Sequence, residues 1–204
     1  MSMITIKKTY GEREKLSWLI NARLPKKEAG ASISKAMQFI CVDEDGTAAC
    51  TDGHRLHVLY NIGNHYPQLS NPGFYEVWKE TKSAIDVLPV ETTDKFPNWK
   101  LVPKTEQAGD VIFDWNCMEF NSAIISLFRA FPSFTALDIG YVKPITLGED
   151  TWQVLWKDAT SQVKFQAGDM LAIVMPMNSK TTVSGLKTIL EPASVIAMAE
   201  EKAA

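Results

Sequence analysis

The sequence predicts an α+β fold in which helices cover one face of an antiparallel sheet. Three observations support this prediction. Short strand-like segments are separated by Gly and Asp turns, two other segments have helical spacing, and both halves of the chain show the order β-α-β-β-β. Antiparallel sheets commonly bury one face against helices, and each half would supply its own helix. The repeat is one of architecture, because the residues themselves do not repeat.

The first unit, residues 1–60, begins with the strand-like segment MITIKK. A helix is predicted next, because four apolar residues recur at helical spacing before Pro25 ends the run. These residues are Leu16, Leu19, Ile20 and Leu24. The remaining strands are predicted in AMQFICV, TAAC and HRLHVLY, because Asp-Gly turns separate them.

Residues 61–108 are predicted as an insertion between the two units. A loop leads into a hairpin made of FYEVWKET and SAIDVLPV. The following segment, DKFPNWKLVPK, contains two prolines and is expected to be extended and irregular.

The second unit, residues 109–178, repeats the pattern of the first. It begins with the strand VIFDWN and a helix in NSAIISLFRAF, for which Asn121 is a suitable N-cap. The strands that follow are predicted in ALDIGYV with KPITLG, TWQVLWKD, SQVKFQAG and DMLAIVMPM. Residues 179–204 are expected to form a peripheral tail. The prediction is therefore one domain of two units, 1–178, followed by this tail.

Composition narrows the functional classes. Apolar residues make up 46 % and charged residues 22 % of the 204-residue chain, which is ordinary for a globular protein. The net charge of -3 does not by itself indicate nucleic-acid or membrane binding. No apolar run resembles a signal peptide or a membrane span, and Cys41, Cys50 and Cys117 lack CxxC spacing. We therefore expect a cytoplasmic protein with reduced cysteines and no membrane association.

The segment CTDGHRLHVLY, residues 50–60, is the first place to look for catalysis or metal binding. His54 and His57 have the HxxH spacing that chelates metals on a helix, but the spacing places them on opposite faces of a strand. A hydrolase that uses Cys50, Asp52 and His54 stays open as a less favoured alternative, since Asp52 suits a turn and Cys50 ends an apolar strand. No metal, nucleotide or other cofactor is predicted.

Four short motifs, in this order, resemble the bacterial DNA polymerase III beta subunit, which is the replicative sliding clamp. The motifs are TDGHRL at 51–56, FPNWKLVP at 96–103, FNSAIISL from Phe120 and AIVMPM at 172–177. The β-α-β-β-β order is also the half-domain unit of the clamp fold. A clamp subunit has three domains of two such units each and dimerises into a ring, so these two units correspond to about one clamp domain. The resemblance therefore implies a reduced, DNA-clamp-like protein, and a phage or prophage origin is one interpretation of that reduction.

The resemblance also implies a site. In the clamp family the corresponding segments line a hydrophobic pocket into which polymerases and repair proteins insert short peptides. Methionine thioethers there would adapt to varied side chains, and His54 and Arg55 would lie at the rim. The implied partner-peptide pocket consists of Thr51, Gly53, His54, Arg55, Leu56, Val102, Pro103, Met175, Pro176 and Met177.

The function implied is that of a processivity factor in DNA replication. Such a factor is not an enzyme, forms a homo-oligomer, binds double-stranded DNA without sequence specificity and recruits DNA polymerase or other replication proteins through a clamp-binding peptide. The expected DNA contacts lie on and after the first helix, at Arg13, Lys15, Arg23, Lys26 and Lys27, although nearby glutamates dilute the positive charge. The alternative is a clamp-derived regulatory protein of phage type that does not encircle DNA.

Overall fold

The computed structural model describes residues 2–8, 14–27, 34–104, 109–114, 137–149, 151–158 and 160–176. Ten strands lie within these residues. They are β1 (Ile4–Lys7), β2 (Ile40–Val42), β3 (Ala48–Thr51), β4 (Arg55–Leu59), β5 (Gly73–Glu80), β6 (Ala84–Val90), β7 (Gly109–Asp114), β8 (Thr151–Trp156), β9 (Val163–Ala167) and β10 (Met170–Val174).

All ten strands belong to one sheet, in the order β1-β6-β5-β2-β3-β4-β10-β9-β8-β7. Every neighbouring pair is antiparallel. The β5–β6 hairpin lies between β1 and β2, so β1 pairs with β6 and β2 pairs with β5. The sheet passes from the first predicted unit to the second through the pair β4–β10.

The helical segments of the described residues are short. The α-helices are α1 (Lys15–Ile20), α2 (Ile62–His65) and α3 (Ile139–Val142). Four 3-10 helices cover Lys35–Gln38, Pro67–Leu69, Trp99–Lys104 and Lys143–Leu147. None of the helices in these described ranges is long and apolar enough to cross a membrane.

The two faces of the sheet carry separate apolar cores. The larger core lies on the face that α1 covers, where Leu16, Trp18 and Leu19 are fully buried. The smaller core lies on the opposite face and contains Ala49, Leu56, Val58, Trp99, Leu171 and Ile173. Strand β4 contributes to both faces, because its alternate residues point in opposite directions.

The predicted fold class, an antiparallel α+β clamp-like architecture, is confirmed, but some element assignments are wrong. Within the segment ALDIGYV with KPITLG, Ile139–Val142 and Lys143–Leu147 are helical rather than a strand. Asp138 caps α3, since its Oδ1 accepts a hydrogen bond from the backbone N–H of Gly140 at 2.7 Å, and Pro144 lies in the first turn of the 3-10 helix that follows. The second predicted helix, in residues 121–131, and the tail at 179–204 lie outside the described residues.

Two further assignments need correction nearer the site. The first residues of AMQFICV form a 3-10 helix capped by Ser34, and the strand begins only at Ile40. The segment FPNWKLVP is not extended throughout, because its second half is the 3-10 helix Trp99–Lys104. This 3-10 helix lies against the sheet, where Trp99 packs in the smaller core.

Candidate partner-binding site

Strands β4 and β10 bring two distant motifs together. Arg55 pairs with Val174 and Leu56 pairs with Ile173. Just beyond the strands, the backbone N–H of Met175 donates a hydrogen bond to the carbonyl of His54 at 2.8 Å. The TDGHRL turn and the start of the MPM segment are therefore direct neighbours within one chain.

The TDGHRL turn is held by hydrogen bonds from its own side chains. Asp52 Oδ1 accepts from the backbone N–H groups of His54 and Arg55, both at 3.0 Å, and its Oδ2 lies 3.0 Å from Arg55 Nε. The hydroxyl of Thr51 donates to the Arg55 carbonyl at 2.6 Å and accepts from the Gly53 N–H at 3.0 Å. Gly53 has a φ of +93°, which side-chain-bearing residues rarely adopt. The local sequence thus specifies a stiff turn.

The FPNWKLVP segment lies over the smaller core, beside the TDGHRL turn and the end of β10. We call this segment the wall of the site. Trp99 is 8 % exposed and packs in that core with Leu56 and Ile173. Phe96 and Val102 are half-buried against the same core. Burial of the large indole fixes where the segment crosses the sheet.

Three polar contacts, made by the side chains of Lys100 and Gln162, anchor this wall to both halves of the sheet. Lys100 Nζ forms ion pairs with Asp43 Oδ2 at 3.1 Å and Asp45 Oδ2 at 2.9 Å, on the hairpin between β2 and β3. Gln162 Nε2, between β8 and β9, donates to the carbonyl of Val102 at 3.0 Å. The wall is therefore tied to the first unit at one point and to the second at another.

The turn, the wall and the end of β10 line a partly open cavity of about 150 Å³. We call it the seam cavity. Its lining consists of Thr51, Gly53, His54, Arg55, Leu56, Pro97, Asn98, Trp99, Val102, Ile173 and Met175. Met175 is 42 % exposed, so its thioether lies accessible at the edge of the cavity.

Seven of the ten residues predicted for the pocket line the seam cavity, namely Thr51, Gly53, His54, Arg55, Leu56, Val102 and Met175. Pro176 follows Met175 but is not among the lining residues, and Met177 lies outside the described residues. Pro103 lies in the 3-10 helix. That a peptide binds here stays a prediction.

Sequence reasoning missed Pro97, Asn98, Trp99 and Ile173, which also line the cavity. The signal for the first three was present, since they belong to the same FPNWKLVP motif. Ile173 lies in β10 two residues before Met175, and strand alternation extended by one residue places both on one side. The alternation of side chains along β10 was therefore enough to identify Ile173 as a lining residue.

Tyr141 on α3 is a further neighbour that the sequence did not indicate. Its ring stacks with that of His54, with centroids 6.0 Å apart and planes 10° apart. The guanidinium carbon of Arg55 lies 5.1 Å from the centre of the same ring, which is cation–π geometry. Tyr141 thus packs against the two charged or titratable residues at the rim of the seam cavity.

The hydrolase alternative is not supported by the arrangement of its three residues. Cys50 is fully buried in the larger core, on the face opposite the seam cavity, and burial raises the pKa of its thiol. The carboxylate of Asp52 is occupied by the turn and by Arg55. His54 instead stacks on Tyr141. Cys50, Asp52 and His54 therefore do not form a nucleophile–base pair of the kind hydrolysis needs.

His57 is a structural residue of the larger core. It is fully buried, stacks on Trp18 with centroids 4.4 Å apart, and its Nδ1 lies 2.7 Å from the Trp18 carbonyl. Burial lowers the pKa of His57 to about 3, so the ring is neutral near pH 7. Within the described residues, no group of three His, Cys, Asp or Glu side chains is arranged to hold a metal ion.

The basic residues predicted to contact DNA are partly neutralised. Lys15 Nζ lies 2.7 Å from Asp169 Oδ1, and Lys26 forms an ion pair with Glu76. Arg23 is half-buried and Lys27 is exposed, whereas Arg13 lies outside the described residues. Of the four that the structure describes, two are therefore already paired with carboxylates.

No protein-family model matches the sequence, and no curated protein matches it either. Among solved structures, the chain is similar to the DNA polymerase III beta subunit of Borrelia burgdorferi, which was solved with a natural product. The TM-score is 0.53 at 15 % identity, over 86 % of this chain and 63 % of that protein. A protein from Eubacterium rectale assigned as a DNA polymerase III beta subunit gives a TM-score of 0.50 at 9 % identity, over 89 % and 66 %. This chain spans less than two thirds of each.

These structures share their fold with the chain although few residues are identical. The motifs TDGHRL, FPNWKLVP and AIVMPM indicate the same likeness from the sequence alone. The chain therefore has the fold of the bacterial sliding clamps, the DNA polymerase III beta subunits.

Proposed function

We propose that this chain is a sliding-clamp-like, non-enzymatic factor that holds a short peptide of a replication protein in the seam cavity. The observation that carries the proposal is the pairing of β4 with β10. It places Leu56, Met175 and the Trp99 wall around one cavity, although the three segments are far apart in sequence.

The chemistry of the seam cavity suits an apolar anchor side chain. An apolar cavity of about 150 Å³ accommodates a benzene-sized group. Leu56, Trp99, Val102 and Ile173 offer apolar surface, and the thioether of Met175 can adjust to the shape of its occupant. His54 and Arg55 at the rim can hydrogen-bond a peptide backbone or carboxylate. Since so small a site buries limited area, we expect weak to moderate affinity.

The proposal includes a cytoplasmic setting, self-association and non-specific contact with double-stranded DNA through basic side chains. The support for this part is the clamp fold. DNA affinity should fall steeply as salt increases, because phosphate contacts release counterions. Charge reversal at Arg23 and Lys27 should weaken binding equally for all duplex sequences.

The experiment that tests the peptide site is a titration with a fluorescent clamp-binding peptide taken from a bacterial DNA polymerase. Met175→Ala is the preferred variant, because Met175 is 42 % exposed and its loss should leave the fold intact. We expect it to weaken binding by about 1–2 kcal/mol. Leu101→Ala is the matched control, since Leu101 is 61 % exposed in the FPNWKLVP segment beside the cavity and does not line it. Absence of binding by the wild type, or equal binding by Met175→Ala, would refute the site.

A specific observation favours a second candidate, a clamp-derived regulator that binds a replication protein without encircling DNA. Lys15 and Lys26, two of the expected DNA contacts, are already paired with Asp169 and Glu76. Mass measurement in solution, with and without duplex DNA, separates the candidates. A closed oligomer that takes up DNA supports the clamp, and a monomer that binds the peptide but not DNA supports the regulator.

A further inference from the structure

Trp78 is an exposed aromatic residue on the inserted hairpin. Its side chain is 60 % exposed, although indole is among the most costly groups to leave in water. Trp78 occupies a register irregularity of β5, where Val77 opposes Val87 and Lys79 opposes Asp86. Such bulges re-aim a side chain and recur where a surface has a function.

The exposed Trp78 directly follows a buried core residue in β5. Its neighbour Val77 belongs to the larger core on the α1 side. Lys26 forms an ion pair with Glu76 on β5 and also lies over the Trp78 ring, with Nζ 5.9 Å from the ring centre. One lysine therefore lies over one face of the ring, and the side chain of Trp78 is still 60 % exposed.

The surface around Trp78 is locally basic. Besides Lys26, Lys79 follows Trp78 in β5 and Lys82 lies in the turn of the same hairpin, and both are exposed, as are Lys27 next to Lys26 and Lys7 on β1, which pairs with β6. The outward carboxylates among the same described strands are Glu76 and Asp86, while Glu80 faces α1 and bonds Ser17 and Lys8. Over the whole chain the balance is reversed, with 21 basic and 24 acidic residues. Exposed lysines therefore outnumber the outward carboxylates on this hairpin and the strand beside it, close in sequence and strand order to an exposed aromatic ring.

We propose that Trp78 and the surrounding lysines form a binding surface for single-stranded nucleic acid, with an unpaired base stacked on the indole and the backbone phosphates held by lysine ammonium groups. Single-stranded binders combine these two features, an aromatic platform and a basic track. A duplex keeps its bases stacked on one another, so it can use the lysines but not the ring. This surface is separate from the seam cavity and does not depend on the proposed peptide site.

The test is fluorescence anisotropy with labelled oligo(dT) and with a duplex of equal length, using the full chain at low salt. We expect oligo(dT) to bind more tightly than the duplex. Trp78→Ala should weaken oligo(dT) binding about 5- to 100-fold, the range found when a stacking residue is removed, and Trp78→Phe should weaken it less. Since Trp78 is largely exposed, neither change should prevent folding.

Charge variants test the lysines separately. The double variant Lys79→Glu with Lys82→Glu should weaken oligo(dT) binding and flatten its salt dependence, by a slope of about 0.7 for each phosphate that is no longer neutralised. Lys157→Glu is the matched control, because Lys157 is an exposed lysine outside this surface and should leave binding unchanged.

Three results would overturn the proposal. These are no oligo(dT) binding by the wild type, equal binding by Trp78→Ala, or tighter binding of a poly-glutamate peptide that depends on Lys79 and Lys82 but not on Trp78. The last result would assign the surface to an acidic protein. Met175→Ala should not affect oligo(dT) binding, so failure here is distinguishable from failure of the peptide site.

Discussion

Leu56 on β4 and Ile173 on β10 are paired across the two strands, and both pack with Trp99 in the smaller core. Leu56 belongs to the first predicted unit and Ile173 to the second, and the indole of Trp99 packs with both. This relationship places the seam cavity where the two halves of the sheet meet, and it makes Trp99 the residue on which the wall depends.

Trp99→Ala should therefore destabilise the protein and also remove the peptide site. A buried Trp→Ala change costs about 3–5 kcal/mol, because burial is lost and a cavity remains. Urea unfolding measures the loss, and peptide titration under conditions where the variant is folded measures the site. Leu101→Ala in the same segment should change stability by less than about 0.5 kcal/mol, because Leu101 is exposed. Similar effects of the two changes would contradict the assigned role of Trp99.

The Gly53 conformation gives a second prediction. Gly53→Ala must place a Cβ at a φ of +93°, a conformation that L residues rarely adopt, so we expect a loss of roughly 1–2 kcal/mol of stability and weaker peptide binding. Gly46→Ala is a matched control, since Gly46 has a φ of +76° with no atom within 4 Å of its would-be Cβ. It should lose comparable stability but keep its peptide affinity. Equal affinities for the two variants would show that the turn does not shape the site.

Tyr141 gives a third prediction, about the rim of the seam cavity. Tyr141→Leu removes the ring that stacks on His54 and faces Arg55, so both rim residues should lose their orientation. Cation–π contacts of this kind contribute about 0.5–2 kcal/mol, and peptide affinity should fall by a corresponding amount. Tyr141→Phe keeps the ring and should bind nearly as well as the wild type. If leucine is tolerated as well as phenylalanine, the ring does not position the rim.

His57 gives a fourth prediction, on the pH dependence of stability. The folded-state pKa is about 3 and the ordinary value is 6.5, so between these values the unfolded chain binds a proton that the folded chain does not. The stabilisation is therefore complete above pH 6.5 and is lost as pH falls toward 3, by up to about 1.4 kcal/mol per pH unit. Urea unfolding at pH 7 and pH 5 measures this slope.

The matched variants for this prediction are His57→Asn and His54→Asn. The first should be less stable at pH 7 but should lose most of the pH dependence in this window. The second should keep it, because His54 is exposed. A wild-type stability that is equal at pH 7 and pH 5 would show that His57 is not buried as a neutral ring.

The sequence was sufficient for features set by local chemistry. The Asp-Gly turns delimit β3 and β4, and strand alternation correctly separates Leu56 from His57. It was not sufficient at residues 139–147, because β-branched and aromatic residues there favour a strand while the Asp138 cap and Pro144 favour helical turns.

Non-local pairings also escaped prediction. The sequence of the β5–β6 hairpin does not predict that it lies between β1 and β2, because that order depends on which strands pair across the whole sheet. Likewise, the position of the cavity wall depends on Lys100 reaching Asp43 and Asp45. Such interactions join segments about 55 residues apart in sequence, as Lys100 and Asp45 do, and no local periodicity reports them.

The anchoring of the FPNWKLVP wall to both halves of the sheet has a thermodynamic consequence. Because Lys100 ties it to the β2–β3 hairpin and Gln162 ties it to the β8–β9 connection, the seam cavity exists only when both halves are folded together. Any occupant therefore binds the assembled sheet and not its parts, and its binding free energy adds to the cooperativity of folding. A ligand bound in the seam cavity would therefore most strongly oppose the partial unfolding that separates β4 from β10.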